Sequence, residues 1–293
     1  MDAIGCVLLP GSCSLCGSLL PRLSLVPICD ACWTEIPVQN GFSCVRCGET
    51  LDAPALATAD PATTLCRACR LAPPPFERAV AYGPYRGRMR QAMHALKYDG
   101  LRPAARRLGG MLAEAIAHLA PDAPADMLVV PVPLHRSKHR GRGFNQARML
   151  AEHALAHLRR THPAWQLTLA PGLLVRQRAT QSQAGLTPRQ RRINLRGAFR
   201  VAQPQAVAGR HVLVIDDILT TGATARAAAQ ALVRAGAATV WVATLARAQR
   251  STAARPGNAV PHEDRAVSRG LQGDPLNFNP MNESRHAHNQ PSS

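Results

Sequence analysis

The pattern of apolar and polar residues predicts strands that alternate with helices over residues 76–249. Five apolar runs predict strands, around Val80 and at 126–134, 173–175, 211–217 and 239–245. Apolar residues at helical spacing predict helices over 101–119 and 144–158, and an Ala-rich segment predicts a third helix that stops at Gly236. Strands that alternate with helices indicate a parallel α/β sheet.

The two ends of the chain lack this periodicity. The chain has 293 residues, which is room for about two domains. Three consecutive prolines at 73–75 are typical of a linker. From Ser251 the chain is rich in Pro, Asn, Ser and His, and its charges cancel, which predicts a disordered tail. We therefore expect a cysteine-rich domain over 1–72, an α/β domain over 76–249 and a tail over 250–293.

Eight of the nine cysteines form four C-x2-C pairs, with 12, 11 and 18 residues between successive pairs. Two such pairs supply four thiolates, which is the ligand set of a closed structural zinc site. Pairing in chain order predicts two zinc ions, although an interleaved arrangement has the same spacing. The expected ligands are Cys13, Cys16, Cys29, Cys32, Cys44, Cys47, Cys66 and Cys69. The ninth cysteine, Cys6, is expected to be a free thiol.

Two other interpretations of the cysteines are weaker. A disulfide framework needs an oxidising compartment, whereas the N-terminus shows no signal peptide. Four copies of C-x2-C in one short segment do not suit a thioredoxin-like redox motif. Since no run approaches the roughly 20 apolar residues of a membrane helix, we expect a cytoplasmic protein without membrane insertion. Four cysteines per ion leave no open position, so the zinc would be structural.

The charge of the chain is unevenly distributed. There are 35 Lys and Arg against 18 Asp and Glu, a net charge of +17. Residues 131–200 contain 14 of these cations and a single acid, Glu152. A solvated helix face is the alternative, but the imbalance favours a surface that meets phosphates. Aromatic residues make up only 4% of the chain, which argues against nucleic-acid binding mainly by base stacking.

The segment VLVIDDILTTGAT (212–224) carries the main chemical signal. A buried strand ends in Asp216 and Asp217, and a Thr/Gly loop leads into a helix, where free amides suit a phosphate. Carboxylates accept hydrogen bonds from vicinal hydroxyls, so the segment predicts a ribose 5-phosphate site. A Walker B strand would need a G-x4-G-K-[ST] motif, which the chain lacks. A purely structural role for adjacent buried carboxylates would be costly without partners.

This segment resembles the signature of type I phosphoribosyltransferases, which use phosphoribosyl pyrophosphate with Mg2+. The segments VVPVPLHRSKHRGRGFNQARMLAE and RATQSQAGLTPRQRRINLRGAF resemble the ComF (competence protein F) family. That family joins a cysteine-rich zinc segment to a phosphoribosyltransferase domain, and the resemblance covers about residues 10–248. It implies a type I phosphoribosyltransferase fold, a parallel sheet with flanking helices, preceded by a small zinc-ribbon domain.

The resemblance also implies roles for individual residues. Asp216 and Asp217 would bind the ribose hydroxyls as the catalytic pair, and residues 178–192 would form a hood over the ligand. The other implied ligand contacts are the 5′-phosphate loop of Thr220, Thr221, Gly222, Ala223 and Thr224, the pyrophosphate-loop residues His135, Arg136 and Arg140, and Lys97.

The resemblance implies a ComF-type protein that binds phosphoribosyl pyrophosphate with Mg2+ and acts in natural competence or DNA uptake. Three hypotheses describe what it does there. The first is a phosphoribosyltransferase whose acceptor the sequence does not name, and only this one predicts pyrophosphate release. The second is a single-stranded-DNA-binding accessory, because the family is associated with natural competence. The third is a phosphoribosyl pyrophosphate sensor without turnover. The expected partners are phosphoribosyl pyrophosphate and, through the resemblance, single-stranded DNA and DNA-uptake proteins, and a homodimer is left open.

Overall fold

A computed structural model describes residues 11–22, 24–51, 60, 63–134, 143–177, 190 and 197–249. The chain divides into two units, Met1–Ser251 and Thr252–Ser293, and every described residue belongs to the first. Within these described ranges, no helix has the length and apolar character needed to cross a bilayer.

A five-stranded parallel sheet lies at the centre of the fold. The strands in the described ranges are β1 Ala79–Pro84, β2 Asp126–Pro131, β3 Gln166–Leu169, β4 Leu174–Arg176, β5 Phe199–Val201, β6 His211–Leu219 and β7 Thr239–Arg247. Five of them form the sheet in the order β1-β7-β6-β2-β3, and β4 pairs with β5 in a separate antiparallel ribbon. The predicted parallel α/β sheet is confirmed, and the three long apolar runs form its central strands.

Helices cover both faces of the sheet. In the described ranges they are α1 Asp30–Thr34, α2 Arg67–Leu71, α3 Gly87–Tyr98, α4 Ala105–Ala117, α5 Gln146–Thr161 and α6 Ala223–Arg234. Side chains of β6 alternate between the faces, because successive residues of a strand point in opposite directions. Leu213 and Ile215 pack in the core with α4 and α5, whereas Val212 and Val214 pack in the core with α6. Burial on both faces explains the continuous apolar run of this strand.

Some boundaries differ from the predictions. The helix expected from residue 101 begins as a 3-10 turn, Arg102–Ala104, before α4 starts. Strand β6 continues past the acid pair to Leu219, because its backbone stays paired with β7 as far as Arg247. The sequence did not predict α1, α2, α3, β3 or β5.

The cysteine-rich segment covers the outer edge of β1, which would otherwise be an unpaired edge strand. The backbone amide of Gln39 donates to the carbonyl of Tyr82 at 2.8 Å, and the backbone amide of Ala79 donates to the carbonyl of Arg46 at 2.9 Å. At Gly83 a β-carbon would lie 1.9 Å from the carbonyl oxygen of Pro37, so only glycine fits this close backbone approach. The predicted domain boundary near residues 72–76 stays a prediction.

Candidate functional site

The two adjacent aspartates lie near the carboxyl end of β6, in the middle of the sheet. Asp216 pairs in register with Thr244 of β7, and Asp217 is 7% exposed. Each carboxylate accepts a hydrogen bond from the next amide of its own strand: Asp217 N donates to Asp216 Oδ1, and Ile218 N donates to Asp217 Oδ1, both at 2.9 Å. These contacts fix the side chains at the edge where parallel α/β sheets bind ligands.

Lys97 brings a positive charge to this pair. It lies in the last turn of α3, and its Nζ forms an ion pair with Asp217 Oδ2 in which both side chains are nearly buried. Burial favours the protonated form of Asp217, but the attraction and hydrogen bond of Lys97 outweigh it, so the pKa of Asp217 lies below its usual range. The structure therefore places Lys97 against the acid pair itself.

The pKa of Asp216 shifts in the opposite direction. Burial raises the pKa of Asp216 well above its usual range, and repulsion from the charge of Asp217 raises it further. The two carboxyls titrate as a coupled pair, with one group ionised and the other protonated over a range of pH. Such a pair can both accept and donate hydrogen bonds, which suits the two hydroxyls of a sugar.

The loop after β6 leads directly into α6. Gly222 has a φ of 74°, a left-handed conformation that glycine adopts without strain, and α6 begins at the next residue, Ala223. The hydroxyl of Thr221 accepts a weak hydrogen bond from the amide of Ala223 at 3.4 Å. Thr220, Thr221 and Thr224 are half-buried. We call Thr220–Thr224 the phosphate loop after the role predicted for it, and amides at the start of a helix lie at the positive end of its dipole, which suits an anion.

One cation at this site, Arg176, was not predicted from the sequence. Arg176, the last residue of β4, is close enough to Asp216 for their charges to interact. Burial lowers the pKa of Arg176, and the charge of Asp216 opposes this shift. Its guanidinium carbon lies 5.7 Å from the centroid of the Phe199 ring on β5. The only sequence signal was its position after the predicted short strand, in the cation-rich stretch.

Other predicted contacts lie outside the described residues. His135, Arg136 and Arg140 belong to this group, as does the hood segment 178–192 apart from Gln190. The chain enters the first of these segments beside the acid pair, because the amide of Val132 donates to the carbonyl of Ile215 at 2.8 Å. After the segment, Asn145 caps α5 by accepting from the amide of Ala147 at 2.9 Å. The roles predicted for these residues stay predictions.

The eight paired cysteines form two groups in chain order, not interleaved. The first tetracysteine group is Cys13, Cys16, Cys29 and Cys32, and the second is Cys44, Cys47, Cys66 and Cys69. Within each group the sulfur atoms all lie within 4.8 Å of one another, and all eight cysteines are free thiols in the structure.

The sulfur spacing fits a tetrahedral metal. The Sγ atoms of Cys13 and Cys32 are 3.8 Å apart, those of Cys16 and Cys29 are 3.7 Å apart, and those of Cys47 and Cys66 are 3.7 Å apart. Four sulfurs at about 2.3 Å from a zinc ion would be about 3.8 Å from each other. A disulfide would need a separation of about 2.05 Å. The donor set and its dimensions therefore suit zinc.

Comparisons with known proteins connect the site to named relatives. Residues 149–263, which include the acid pair and the phosphate loop, match the family described as "Phosphoribosyl transferase domain". "DNA utilization protein YhgH" of Salmonella typhi is 35% identical over 240 residues, which cover 81% of this chain and 97% of the relative. "Competence protein F" of Haemophilus influenzae is 31% identical over 121 residues, 41% of this chain and 50% of the relative.

Two further matches are more distant. "Competence protein ComFC" of Bacillus subtilis is 25% identical over 229 residues, 75% of this chain and 84% of the relative. Among solved structures, a glutamine phosphoribosylpyrophosphate amidotransferase from B. subtilis matches 52% of this chain and 30% of its own chain at 22% identity. Its TM-score of 0.30 is too low to support an argument.

Proposed function

The chain belongs to the ComF family, and from this premise we propose that it binds phosphoribosyl pyrophosphate with Mg2+ at the carboxyl end of β6. One observation carries the proposal: a partly buried acid pair, in which Asp217 is ion-paired with Lys97, is followed within three residues by a Thr/Gly loop at a helix N-terminus. This arrangement offers one contact for each end of a ribose 5-phosphate.

Each part of the arrangement has a distinct task. Asp216 and Asp217 bind the two ribose hydroxyls, since one carboxyl is favoured as an acceptor and the other as a donor. The amides of the phosphate loop bind the 5′-phosphate. Lys97 keeps Asp217 ionised and correctly oriented, so it is a positioning residue in this proposal. Arg176 supplies positive charge close to Asp216.

The donor atoms also suit the expected cation. Mg2+ prefers oxygen ligands and is commonly held by one or two carboxylates together with substrate phosphates, so Asp217, the member of the pair that is favoured in its ionised form, is the described residue that would hold it together with the phosphates of the ligand. When bound, Mg2+ would neutralise the charge of the pyrophosphate group. His135, Arg136 and Arg140, at positions predicted from the resemblance, would add cations there, and Arg is well shaped for bidentate phosphate contacts.

Transfer of the phosphoribosyl group would break the bond between the ribose and pyrophosphate. Positive charge then develops on the sugar and negative charge on the leaving group, so charge stabilisation and positioning supply most of the catalysis. In this proposal the acid pair would stabilise the sugar. A sensor would bind the same ligand without releasing pyrophosphate, so measurement of pyrophosphate release in the presence of candidate acceptors separates the two functions.

Calorimetric titration tests the binding proposal. The wild-type protein should bind phosphoribosyl pyrophosphate only with Mg2+, and Asp216→Ala should weaken binding by about tenfold or more, because lost hydrogen bonds cost on the order of 1.4 kcal/mol. The matched control is Asp126→Asn, at the opposite end of the sheet, where the exposed carboxylate contacts Arg210 at 3.2 Å. Wild-type protein without Mg2+-dependent binding, or an Asp216→Ala variant that binds like wild type, would contradict the proposal.

A second candidate function is single-stranded DNA binding. The relatives are named for DNA utilization and for competence, and residues 131–200 carry 14 Lys and Arg against one acid. Neutralised phosphates release counterions, so log affinity should fall linearly with log salt, with a slope of about −0.7 per phosphate contacted. Fluorescence anisotropy with a labelled oligonucleotide measures this slope. Affinity that does not change with salt would exclude a role for this charge.

We also propose that each tetracysteine group binds one zinc ion. The sulfur spacing fits the metal, and a segment with so few long apolar runs needs a cross-link of this kind to fold. The amides of Leu15 and Cys29 donate to Cys13 Sγ at 3.4 and 3.3 Å, and such contacts favour the thiolate form.

A further inference from the structure

The second tetracysteine group lies directly beside the phosphate loop. A small cavity of about 20 Å³ is lined by Cys47 and Cys69 of this group and by Thr221 and Gly222 of the loop. That volume is enough for about one water molecule. Arg226 and Arg247 line the same cavity, so a displacement of these sulfurs would reach the loop through these two side chains.

Arg247 connects the two regions through its own side chain. It is the last residue of β7 and is 3% exposed. Its backbone is paired in register with Leu219, the residue immediately before the phosphate loop. Its Nη2 forms a buried ion pair with Glu49 and lies 3.6 Å from Cys47 Sγ. One guanidinium thus contacts the second tetracysteine group from the strand that supports the loop.

Arg226 makes a second connection on the other side of the loop. It lies in the first turns of α6, where its amide donates to the carbonyl of Gly222 at 2.9 Å. Its guanidinium donates to the carbonyl oxygens of Ala72 at 2.7 Å and Pro73 at 3.1 Å. These carbonyls follow Cys69 closely in the chain. The helix that begins at the loop is therefore fixed to the end of the cysteine-rich segment.

The segment that contains the first tetracysteine group makes a similar Arg–Glu contact with α3. Arg88, in the first turn of α3, donates to Glu35 at 2.7 Å and to the carbonyl of Leu15 at 3.2 Å. This pair is partly exposed, and no cysteine of the first group lines the cavity beside Thr221 and Gly222 in the described residues. The two groups thus have comparable Arg–Glu contacts, but only the second adjoins the loop.

We propose that Arg247 is a positioning residue that couples the metal of the second tetracysteine group to the phosphate loop. Hydrogen-bond partners of metal-ligating atoms orient those ligands and raise metal affinity. With metal bound, Arg247 and Glu49 hold the carboxyl end of β7, and hence the start of the phosphate loop, in the geometry that receives a sugar phosphate. The inference rests on the proposed function and assigns a ligand-supporting role to one of the two metal sites.

The coupling is also reciprocal. If the second metal improves affinity for phosphoribosyl pyrophosphate by some factor, the ligand must improve retention of that metal by the same factor. The ligand, supplied with Mg2+, should therefore slow zinc loss from the second group of the wild-type protein and leave zinc loss from the first group unchanged.

The test compares Arg247→Gln with the matched control Arg88→Gln in the full, zinc-loaded chain. Zinc transfer to a colorimetric chelator is followed over time, and alkylation of the released thiols with peptide mass mapping shows which group lost its metal. Hydrogen exchange of peptides that cover 219–226 reports the order of the loop without any ligand. Titration with phosphoribosyl pyrophosphate and Mg2+ reports binding.

We expect Arg247→Gln to speed zinc loss from the second group by about tenfold. It should also raise hydrogen exchange over 219–226 and weaken ligand binding by about fivefold or more. Arg88→Gln should leave hydrogen exchange over 219–226 and ligand binding within about twofold of wild type. Unchanged exchange in the Arg247→Gln loop, or an equal effect of Arg88→Gln, would overturn the inference.

A failure of the coupling can be distinguished from a variant that does not fold and from a failure of the proposed function. If Arg247→Gln does not fold, Arg247→Lys and Glu49→Gln replace it as smaller changes. Raised hydrogen exchange over 219–226 in these variants would support the coupling, and unchanged exchange would overturn it. If the wild-type protein binds no phosphoribosyl pyrophosphate, the proposed function fails, whereas zinc loss and loop exchange still decide whether Arg247 couples the two regions.

Discussion

Lys97 and Asp217 form a nearly buried ion pair that joins the last turn of α3 to the central strand of the sheet. Lys97 lowers the pKa of Asp217, and burial together with the negative charge of Asp217 raises the pKa of the neighbouring Asp216. A helix at the start of the α/β region thus completes a site whose other parts lie near its end.

Loss of either partner should destabilise the protein strongly. Lys97→Met or Asp217→Asn would leave one group buried without its charge partner, which costs about 3–5 kcal/mol. Urea unfolding followed by Trp fluorescence should show that the double variant loses less stability than the sum of the single variants, with a coupling of about 0.5–3 kcal/mol. The control is the cycle for Arg78 and Asp122, an exposed pair at 2.7 Å, which should couple by at most about 1 kcal/mol.

The raised pKa of Asp216 predicts a pH dependence of stability. A carboxyl whose pKa rises on folding gives its greatest stability below its unfolded pKa of about 3.9, and that stability falls as pH rises towards the folded pKa. Asp217 has a lowered pKa, so its contribution is complete above about pH 5 and adds no slope there. Asp216→Asn removes the slope due to Asp216.

The difference in free energy of unfolding between Asp216→Asn and wild type should therefore shift in favour of the variant as pH rises from the unfolded pKa of about 3.9 up to the folded pKa of Asp216. Urea unfolding at several pH values with excess zinc measures it. Parallel stability curves for the two proteins would show that the environment of Asp216 does not favour its protonated form.

Two neighbouring glycines of α4 should respond in opposite ways to alanine. At Gly109 a β-carbon would lie 2.4 Å from the β-carbon of His153 on α5, so Gly109→Ala should cost about 1–3 kcal/mol by separating the helices. At Gly110 nothing lies within 4 Å, so Gly110→Ala should stabilise the helix by about 0.5–1 kcal/mol. Thermal unfolding compares the two variants. Shifts of the same sign would contradict the packing of α4 on α5.

Metal content tests the two tetracysteine groups. The purified protein should hold about two zinc ions per chain, and Cys47→Ser should hold about one and unfold at a lower temperature. Cys6→Ser is the control, since the sequence predicts a free thiol at this position outside the described residues. Elemental analysis gives the stoichiometry, and a wild-type protein without zinc, or a Cys47→Ser protein with two ions, would disprove the assignment.

The sequence predicted the elements that have strong local signals. The run Val212–Ile215 is apolar because both of its faces are buried, and the spacing of the cysteines is visible without a fold. Helix α3 was not predicted, because its buried residues form a narrow stripe among cations and polar residues. The buried residues are Met89, Ala92, Met93, Ala95 and Leu96.

The missing parts of the site depend on tertiary structure. The ion pairs of Lys97 with Asp217 and of Arg247 with Glu49 join residues far apart in the chain, and no local pattern marks either of them. Arg176 becomes relevant only because the β4–β5 ribbon brings it close to Asp216. The order in which the cysteines group was also open until the sulfur positions were known.

A crystal structure of the protein with phosphoribosyl pyrophosphate and Mg2+ tests the central claim most directly. The ribose hydroxyls should lie within hydrogen-bond distance of Asp216 and Asp217, and the 5′-phosphate should lie over the amides around Gly222. A crystal grown with saturating ligand in which the ligand binds elsewhere, or is absent from this edge of the sheet, would contradict the account.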